Sequence, residues 1–233
     1  YAGDELLKLR TDEDPRRTNP WYLRDQGDLI SHKLLSEQLH KHRPQDHVLS
    51  EEGVDDISRV EADRVWIIDP LDGSQDYPYP ESAEWAVHIA LIESGKIKAG
   101  AVACPSLGRC HVTGSNTDIA PRKNVEPLIV SNRWNTYQAS SIAQIIGADL
   151  TCCGSAGVKT SLVVSGDADV YIDGSGLYEW DACAPVAVAR DVGLVAFQLD
   201  GSELQFNKER PVVRGLVISR PEFAAPIREA LIP

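Results

Sequence analysis

Methionine is absent from all 233 residues, position 1 included, so the natural start is expected to lie upstream. Also missing are an apolar run long enough to cross a bilayer and a signal-peptide pattern at the start. Cysteine is sparse: Cys104, Cys110, Cys152, Cys153 and Cys183. An odd count with one adjacent pair argues against a secreted disulfide framework, and the lack of any C-x-x-C pair argues against structural zinc. The thiols read as reduced and buried in a cytoplasmic protein. Basic residues are outnumbered, with 23 Lys+Arg against 35 Asp+Glu and a net charge of -12. A protein that coats a nucleic-acid polymer needs the opposite balance. An acidic chain can still handle a small phosphorylated metabolite when metal cations supply the positive charge. No internal repeat and no low-complexity tract interrupts the chain.

What is present suits a folded core. The apolar fraction is 42%, and the length allows one large domain or two small ones. Residues 11–20, polar and carrying Pro15 and Pro20, read as a loop. A helix is predicted over 29–41, where Ile30 and Leu34, and Leu35 and Leu39, fall four apart. His47-Val48-Leu49 reads as a short strand. Longer strands are predicted at Arg64–Asp69, Trp85–Ile92, Ile97–Cys104 and Gly108–Thr113, forming a largely antiparallel sheet. From Pro127 the pattern alternates. Strands at 127–131, 148–153, 168–172, 193–199 and 215–219 are interleaved with helices at 136–147, 156–165, 181–192 and 221–231, as in an α/β layered region. The change near 120–126 predicts an α+β N-terminal part over 1–122 and an α/β part over 123–233.

The carboxylates carry the chemistry. Asp69 ends a hydrophobic strand and Asp72 sits in the turn after it. Glu51-Glu52 follows the short strand, and Asp181 opens a helix. Each acid lies where rigid scaffold meets loop. Taken singly, each has a bland reading: a turn for Asp69-Pro70 and Asp72-Gly73, a solvated loop for Glu51-Glu52, a helix cap for Asp181. If they converge, two carboxylates about 4 Å apart repel by about 4 kcal/mol at an effective dielectric of 20. Such a cluster must take up protons or cations. All-oxygen donors favour magnesium, calcium or manganese. Gly73 allows backbone N–H groups close to an oxyanion, and the Ser74 hydroxyl can orient a water. Asp28 could polarise Ser74 if the two are within hydrogen-bond reach.

The set Ser50-Glu51-Glu52, Asp69-Pro70-Leu71-Asp72-Gly73-Ser74 and Trp180-Asp181-Ala182-Cys183-Ala184-Pro185 resembles the inositol monophosphatase superfamily, over nearly the whole chain. Trp85-Ala86-Val87-His88-Ile89-Ala90-Leu91, Gly154-Ser155-Ala156-Gly157-Val158-Lys159 and Tyr178-Glu179-Trp180-Asp181 look like its CysQ branch, the 3′(2′),5′-bisphosphate nucleotidases. The resemblance implies a layered α/β/α/β/α sandwich with the site between its two parts. It implies hydrolysis of a phosphomonoester by water with two or three Mg2+ ions, lithium inhibition, and a homodimer as the usual assembly. The implied substrate is 3′-phosphoadenosine 5′-phosphate, losing its 3′-phosphate, which places the reaction in sulfur metabolism. Inositol 1-phosphate or fructose 1,6-bisphosphate is the alternative, and a non-catalytic sensor of a phosphorylated metabolite is a third reading.

By the same resemblance, Glu51, Asp69 and the Leu71 carbonyl would hold one ion, and Asp69, Asp72 and Asp181 a second. A third would approach Glu51 through water. Ser74 would help activate the attacking water, with Asp28 as its acid partner. Gly73 and Ser74 would bind phosphate, and Gly154, Ser155 and Lys159 would line the substrate side together with Asp181. Three departures stand out: Ser50 where many members have Gly, Ser74 where most have Thr, and no Thr two residues before Asp28. Serine keeps the hydroxyl but loses the methyl that restricts its rotamer. Lys159 could otherwise be a helix-surface lysine, and His88 reads as a satisfied core histidine.

Overall fold

The structure, a computed structural model, describes residues 1–13, 18–115 and 117–231. In chain order the elements are α1 (Ala2–Asp12), α2 (Pro20–His42), β1 (His47–Ser50), β2 (Arg64–Asp72), β3 (Ala86–Glu93), β4 (Lys96–Cys104), β5 (Arg109–Val112) and β6 (Leu128–Ser131). There follow α3 (Tyr137–Ile146), β7 (Asp149–Cys152), α4 (Ala156–Val164), β8 (Val170–Asp173), β9 (Leu177–Tyr178), α5 (Glu179–Asp191), β10 (Val195–Phe197), β11 (Val212–Val213), β12 (Leu216–Ser219) and α6 (Pro221–Leu231). One sheet runs β1-β2-β3-β4-β5, parallel between β1 and β2 and antiparallel thereafter. The other runs β10-β12-β8-β6-β7, with β8, β6 and β7 mutually parallel. A short β9–β11 pair, which periodicity did not reveal, stands apart.

The layers are α1/α2, the first sheet, α4/α5, the second sheet and α3/α6, the α/β/α/β/α sandwich anticipated above. The filling between the sheets is one apolar cluster that includes Val65, Ile67, Val102, Ala156, Val163, Tyr171, Ala184, Val186 and Ile218. A second cluster, with Ile129, Ile142, Val170, Phe197 and Ile227, seats α3 and α6 on the far face of the second sheet. No helix among the described residues is long and apolar enough to cross a membrane.

Two helices depart from the sequence reading. The stretch 11–20 is not wholly loop: α1 runs to Asp12, Pro20 opens α2, and Pro15 lies outside the described residues. Asn19 caps α2, its side chain accepting the Trp21 N–H at 2.9 Å, and Pro20 occupies the first turn, where a missing N–H costs nothing. The buried stripe of α2 is Leu23, Gly27, Ser31 and Leu39. Only the ends of that stripe are apolar, so periodicity located the helix start at 29, nine residues late. The small residues are there because the helix lies close on the first sheet. A Cβ at Gly27 would sit 2.8 Å from Leu71 and 2.9 Å from Tyr77, and Ser31 Oγ donates to the Pro70 carbonyl at 2.6 Å. Thus α2 pins the end of β2. In turn α1 clamps the following loop, with Tyr77 Oη donating to Leu6 O at 2.7 Å and Arg10 donating to Ser82 O at 2.9 Å.

One buried cation ties the first half to the start of α5. Arg59, fully buried, donates to Asp55 at 2.6 and 3.0 Å, to Asn207 Oδ1 at 2.8 Å and to Lys208 O at 3.0 Å. Glu179, the first residue of α5, accepts the Asn207 and Lys208 N–H groups from the other side. Replacing Arg59 by Met should cost about 3 kcal/mol, because breaking a buried pair strands its partners. A urea midpoint equal to that of the wild type would contradict this.

Candidate active site

The acids converge through strand geometry. Parallel pairing sets Ser50 opposite Ile68, so Glu51 leaves β1 level with Asp69. Residues three apart on a regular strand point to opposite faces. Between Asp69 and Asp72, however, β2 carries a bulge: Asp69 pairs with His88 and Asp72 with Ala86, leaving one extra residue on β2. The bulge turns both carboxylates to one side. Asp181 comes from the opposite part, in the first turn of α5, where its Oδ2 accepts the Tyr178 N–H at 2.7 Å. It is therefore a cap and a member of the cluster at once. Ligand atoms of Asp69, Asp72 and Asp181 all lie within 4.8 Å of one another.

The three carboxylates are held unequally. Oδ2 of Asp72 receives the Ser155 hydroxyl and the Gly157 N–H at 2.8 Å, and lies 3.2 Å from His88 Nε2. Burial opposes its ionisation, but His88 and these hydrogen bonds outweigh it and bring the carboxyl down to about 2. Burial, then repulsion from Asp72, Glu51 and Asp181, pushes Asp69 well above the usual carboxylate range. Asp69 Oδ1 accepts the Leu71 N–H at 3.1 Å, while Oδ2 is buried without a hydrogen-bond partner. Burial and Asp72 push Asp181 up to about 7. Glu51, whose carboxyl reaches Asp69, also rises to about 7 through desolvation and the nearby charges of Asp28, Glu52 and Asp72. An orphaned carboxylate oxygen among converging all-oxygen donors fits a hard divalent cation.

His88 is buried, as the sequence reading had it, but its partner is the acidic cluster rather than the core. Its Nδ1 lies 3.2 Å from the Trp180 carbonyl, which leaves Nε2 to face Asp72. Gly157 makes the room, since a Cβ there would collide with Nε2. Ser155 lines the cavity, but its hydroxyl is engaged by Asp72 and by the Val158 N–H it caps. Lys159 is not a surface lysine. It is 3% exposed, donates to the Gly154 and Cys153 carbonyls, and lies over the Tyr171 ring. Asp28 sits in mid-helix and makes no hydrogen bond to Ser74 among the described residues. It faces Glu52, and desolvation with that neighbour raises its carboxyl to about 7. Its partnership with Ser74 was expected from the resemblance. The register of α2, set by Gly27 against Tyr77, directs it toward the Glu51-Glu52 turn instead.

Of these groups Asp72, Asp181, Ser155 and Lys159 line a cavity of about 500 Å³, together with Gly73 and Ser74. It lies over the C-terminal ends of the parallel strands β6, β7 and β8, which deliver Asn132, Cys153-Gly154 and Asp173, the usual place for a ligand in such a sheet. Gly73 adopts φ +80°, and a Cβ there would strike the Glu84 carbonyl, so the turn requires glycine. Its carbonyl accepts the Asp76 and Tyr77 N–H groups, making one helical turn with Ser74 at its start. The sequence reading missed Glu84, Asp76 and Arg133. Arg133 pairs with both acids, and Glu84 also accepts the Gly154 N–H, closing the cavity wall. Nothing local marks these residues, because they meet only across the two parts. Ser50, for its part, is held by His32, Nδ1 to Oγ 3.0 Å, which fixes the strand end that carries Glu51.

A sequence profile described as the inositol monophosphatase family matches residues 23–230. The chain is 37% identical over 232 residues to a 3′-phosphoadenosine 5′-phosphate phosphatase of Mycobacterium bovis, covering 96% of this chain and 86% of the relative. In fold it is similar to CysQ from Bacteroides thetaiotaomicron, described as a bacterial member of the inositol monophosphatase family. The TM-score is 0.79 and the identity 23%, over 94% of this chain and 93% of the other. A similar likeness, with a TM-score of 0.75 and 18% identity over 89% and 81% of the two chains, holds for an IMPase/NADP phosphatase complexed with Mg2+ and phosphate. With its bulged Asp69–Asp72 strand, its Asp181 helix start and a profile match along nearly its whole length, this chain belongs to the inositol monophosphatase family.

Proposed function

We propose that the protein is a magnesium-dependent phosphomonoester hydrolase that removes the 3′-phosphate of 3′-phosphoadenosine 5′-phosphate, in the cytoplasm. The observation that carries the reaction type is the convergence of Asp69, Asp72 and Asp181 within 4.8 Å beside the Gly73-Ser74 turn. The substrate follows from 37% identity, over 96% of the chain, to a phosphatase named for that nucleotide.

Asp69, Asp72, Asp181, Glu51 and the Leu71 carbonyl would hold two ions, with a third beside Glu51. Bound there, the cations supply Lewis-acid polarisation of the phosphoryl group and of the attacking water. The protein's own contribution is positional and protonic. Ser74 Oγ, with no protein hydrogen bond among the described residues, is free to orient the water, and Glu51 is assigned to take its proton. Asp28 is assigned a place beside the Glu51-Glu52 turn, where its charge acts on the Glu51 carboxyl. The Gly73 and Ser74 amides are assigned to the phosphate. Lys159 makes no ion pair with a carboxylate among the described residues, so its charge is available to the second phosphate of a bisphosphate. Gly154 admits that wall, because a Cβ would collide with Asp76.

The nucleotide should be hydrolysed with kcat/KM at least about 10-fold above inositol 1-phosphate and fructose 1,6-bisphosphate, a margin of about 1.4 kcal/mol in transition-state binding. Activity should vanish in EDTA. Equal rates on the three substrates would reject the nucleotide assignment, and binding without turnover would reject the enzyme.

Asp72→Asn should lower activity by more than about 100-fold while the fold is kept. His88→Ala should raise the magnesium concentration needed for half-maximal rate by about 10–100-fold, with little change in substrate KM at saturating metal, as for loss of a group that orients a ligand.

A pH signature follows from the raised carboxyls. Folded Asp69, Asp181 and Glu51 bind protons more tightly than the unfolded chain does, so metal-free stability should fall as pH rises from about 4 toward about 7. Asp72 acts oppositely, losing stability only below about pH 4. Magnesium should therefore raise Tm more at pH 8 than at pH 6, measured by thermal unfolding. Equal shifts would contradict the placement of these acids at the ion site.

A further inference from the structure

The cavity that holds the acids also carries a large aromatic side chain that the fold does not use. Trp134 is 88% exposed, yet it lines this cavity. A tryptophan so placed exposes apolar surface that no contact within the chain offsets. Its backbone, by contrast, is fixed. Asn132 Oδ1 accepts both the Trp134 N–H at 3.0 Å and the Asn135 N–H at 2.7 Å. Asn132 Nδ2 donates to Asp173 Oδ1 at 2.6 Å, and Asn135 Nδ2 to the Gly174 carbonyl at 3.0 Å. Asp173, 2% exposed, also receives the Tyr171 hydroxyl at 3.2 Å and the Ser175 N–H at 3.0 Å. A buried polar network anchored on the end of β8 thus presents one exposed indole to the cavity. Tyr79, 50% exposed and held on the loop that Arg10 clamps, lines the same cavity from the N-terminal part.

We propose that Trp134 is the stacking platform for the base of the nucleoside bisphosphate, and so a specificity-determining residue that separates nucleotides from inositol and sugar phosphates. The argument is chemical. Cyclitols and sugars have no π face, whereas every nucleobase has one, and a pre-positioned ring binds it with little ordering cost. The cavity is continuous from Ser74 and Asp181 to Trp134, so one molecule can reach both with its 3′-phosphate and its base. The inference rests on the nucleotide reading above and adds the residue that would enforce it.

The test compares 3′-phosphoadenosine 5′-phosphate with ribose 3,5-bisphosphate, which keeps both phosphates and lacks the base. Wild type, Trp134→Ala and Trp134→Phe are assayed at saturating magnesium, and Tm is checked for each. In wild type the nucleotide should have the lower KM. In Trp134→Ala its KM should rise about 10-fold with kcat nearly constant, so that the preference for the nucleotide over the base-free compound collapses. Trp134→Phe should restore most of that preference. A wild type indifferent to the base overturns the nucleotide reading and this inference together. A wild type that prefers the nucleotide while Trp134→Ala keeps the preference overturns the platform alone. So does a Trp134→Ala chain whose sedimentation changes while its KM ratio does not, since the indole would then serve a contact between copies.

Discussion

Three carboxylates within 4.8 Å of one another, two of them buried, repel one another strongly when all are ionised without a compensating positive charge. The surrounding structure can be understood as the arrangement that makes this tolerable. One of the three, Asp72, is compensated inside the protein: its Oδ2 accepts from Ser155 and Gly157 and lies 3.2 Å from His88 Nε2. That favours the ionised form of this carboxylate. Asp69 and Asp181 lack such compensation, and their carboxyls shift upward accordingly. The three carboxyls thus differ in their affinity for protons: one is held down and two are pushed up.

The layered fold supplies the closeness this requires. α4 and α5 lie between the sheets and bring their N-terminal turns to the end of β2. α5 approaches through small residues: a Cβ at Gly100 on β4 would meet Ala187, with Ala184 nearby. Both helix starts present N–H groups and the positive end of a helix dipole toward acids. Gly157 serves Asp72 directly, while Tyr178, just before α5, serves Asp181. The Arg59 and Glu179 network holds the loop at 207–208 against this same helix start, so a cation far from the chemistry helps set where Asp181 sits.

Much of this was legible in the residues. The runs at 65–68, 86–92 and 97–104 are apolar enough to place three strands, and strand-helix alternation after Pro127 places the second sheet. The helix at α1 and the true start of α2 were not legible. Their buried positions include Gly3, Gly27 and Ser31, chosen for close approach to Pro105, Leu71 and Tyr77, so the periodic signal is missing where packing is tightest. The commitment of Ser155 to Asp72 was equally hidden, as were the Arg133 bridge to Glu84 and Asp76 and the orientation of Asp28 toward Glu52. Each depends on a partner dozens of residues away.

By itself the sequence determined the kind of site: oxygen donors at element ends, a glycine that lets N–H groups approach an oxyanion, a hydroxyl after it, and an acidic balance that suits phosphate handling with metal cations. Those are properties of residue types and short spacings, which need no knowledge of distant neighbours. Only the tertiary structure decided how the acids differ from one another. Asp69 and Asp72 come to one side through a bulge seen only in the pairing of β2 with β3, and His88 and the start of α4 approach Asp72 alone. A carboxylate's charge depends on its burial and on the donors around it, and those are set by contacts between residues far apart in the chain.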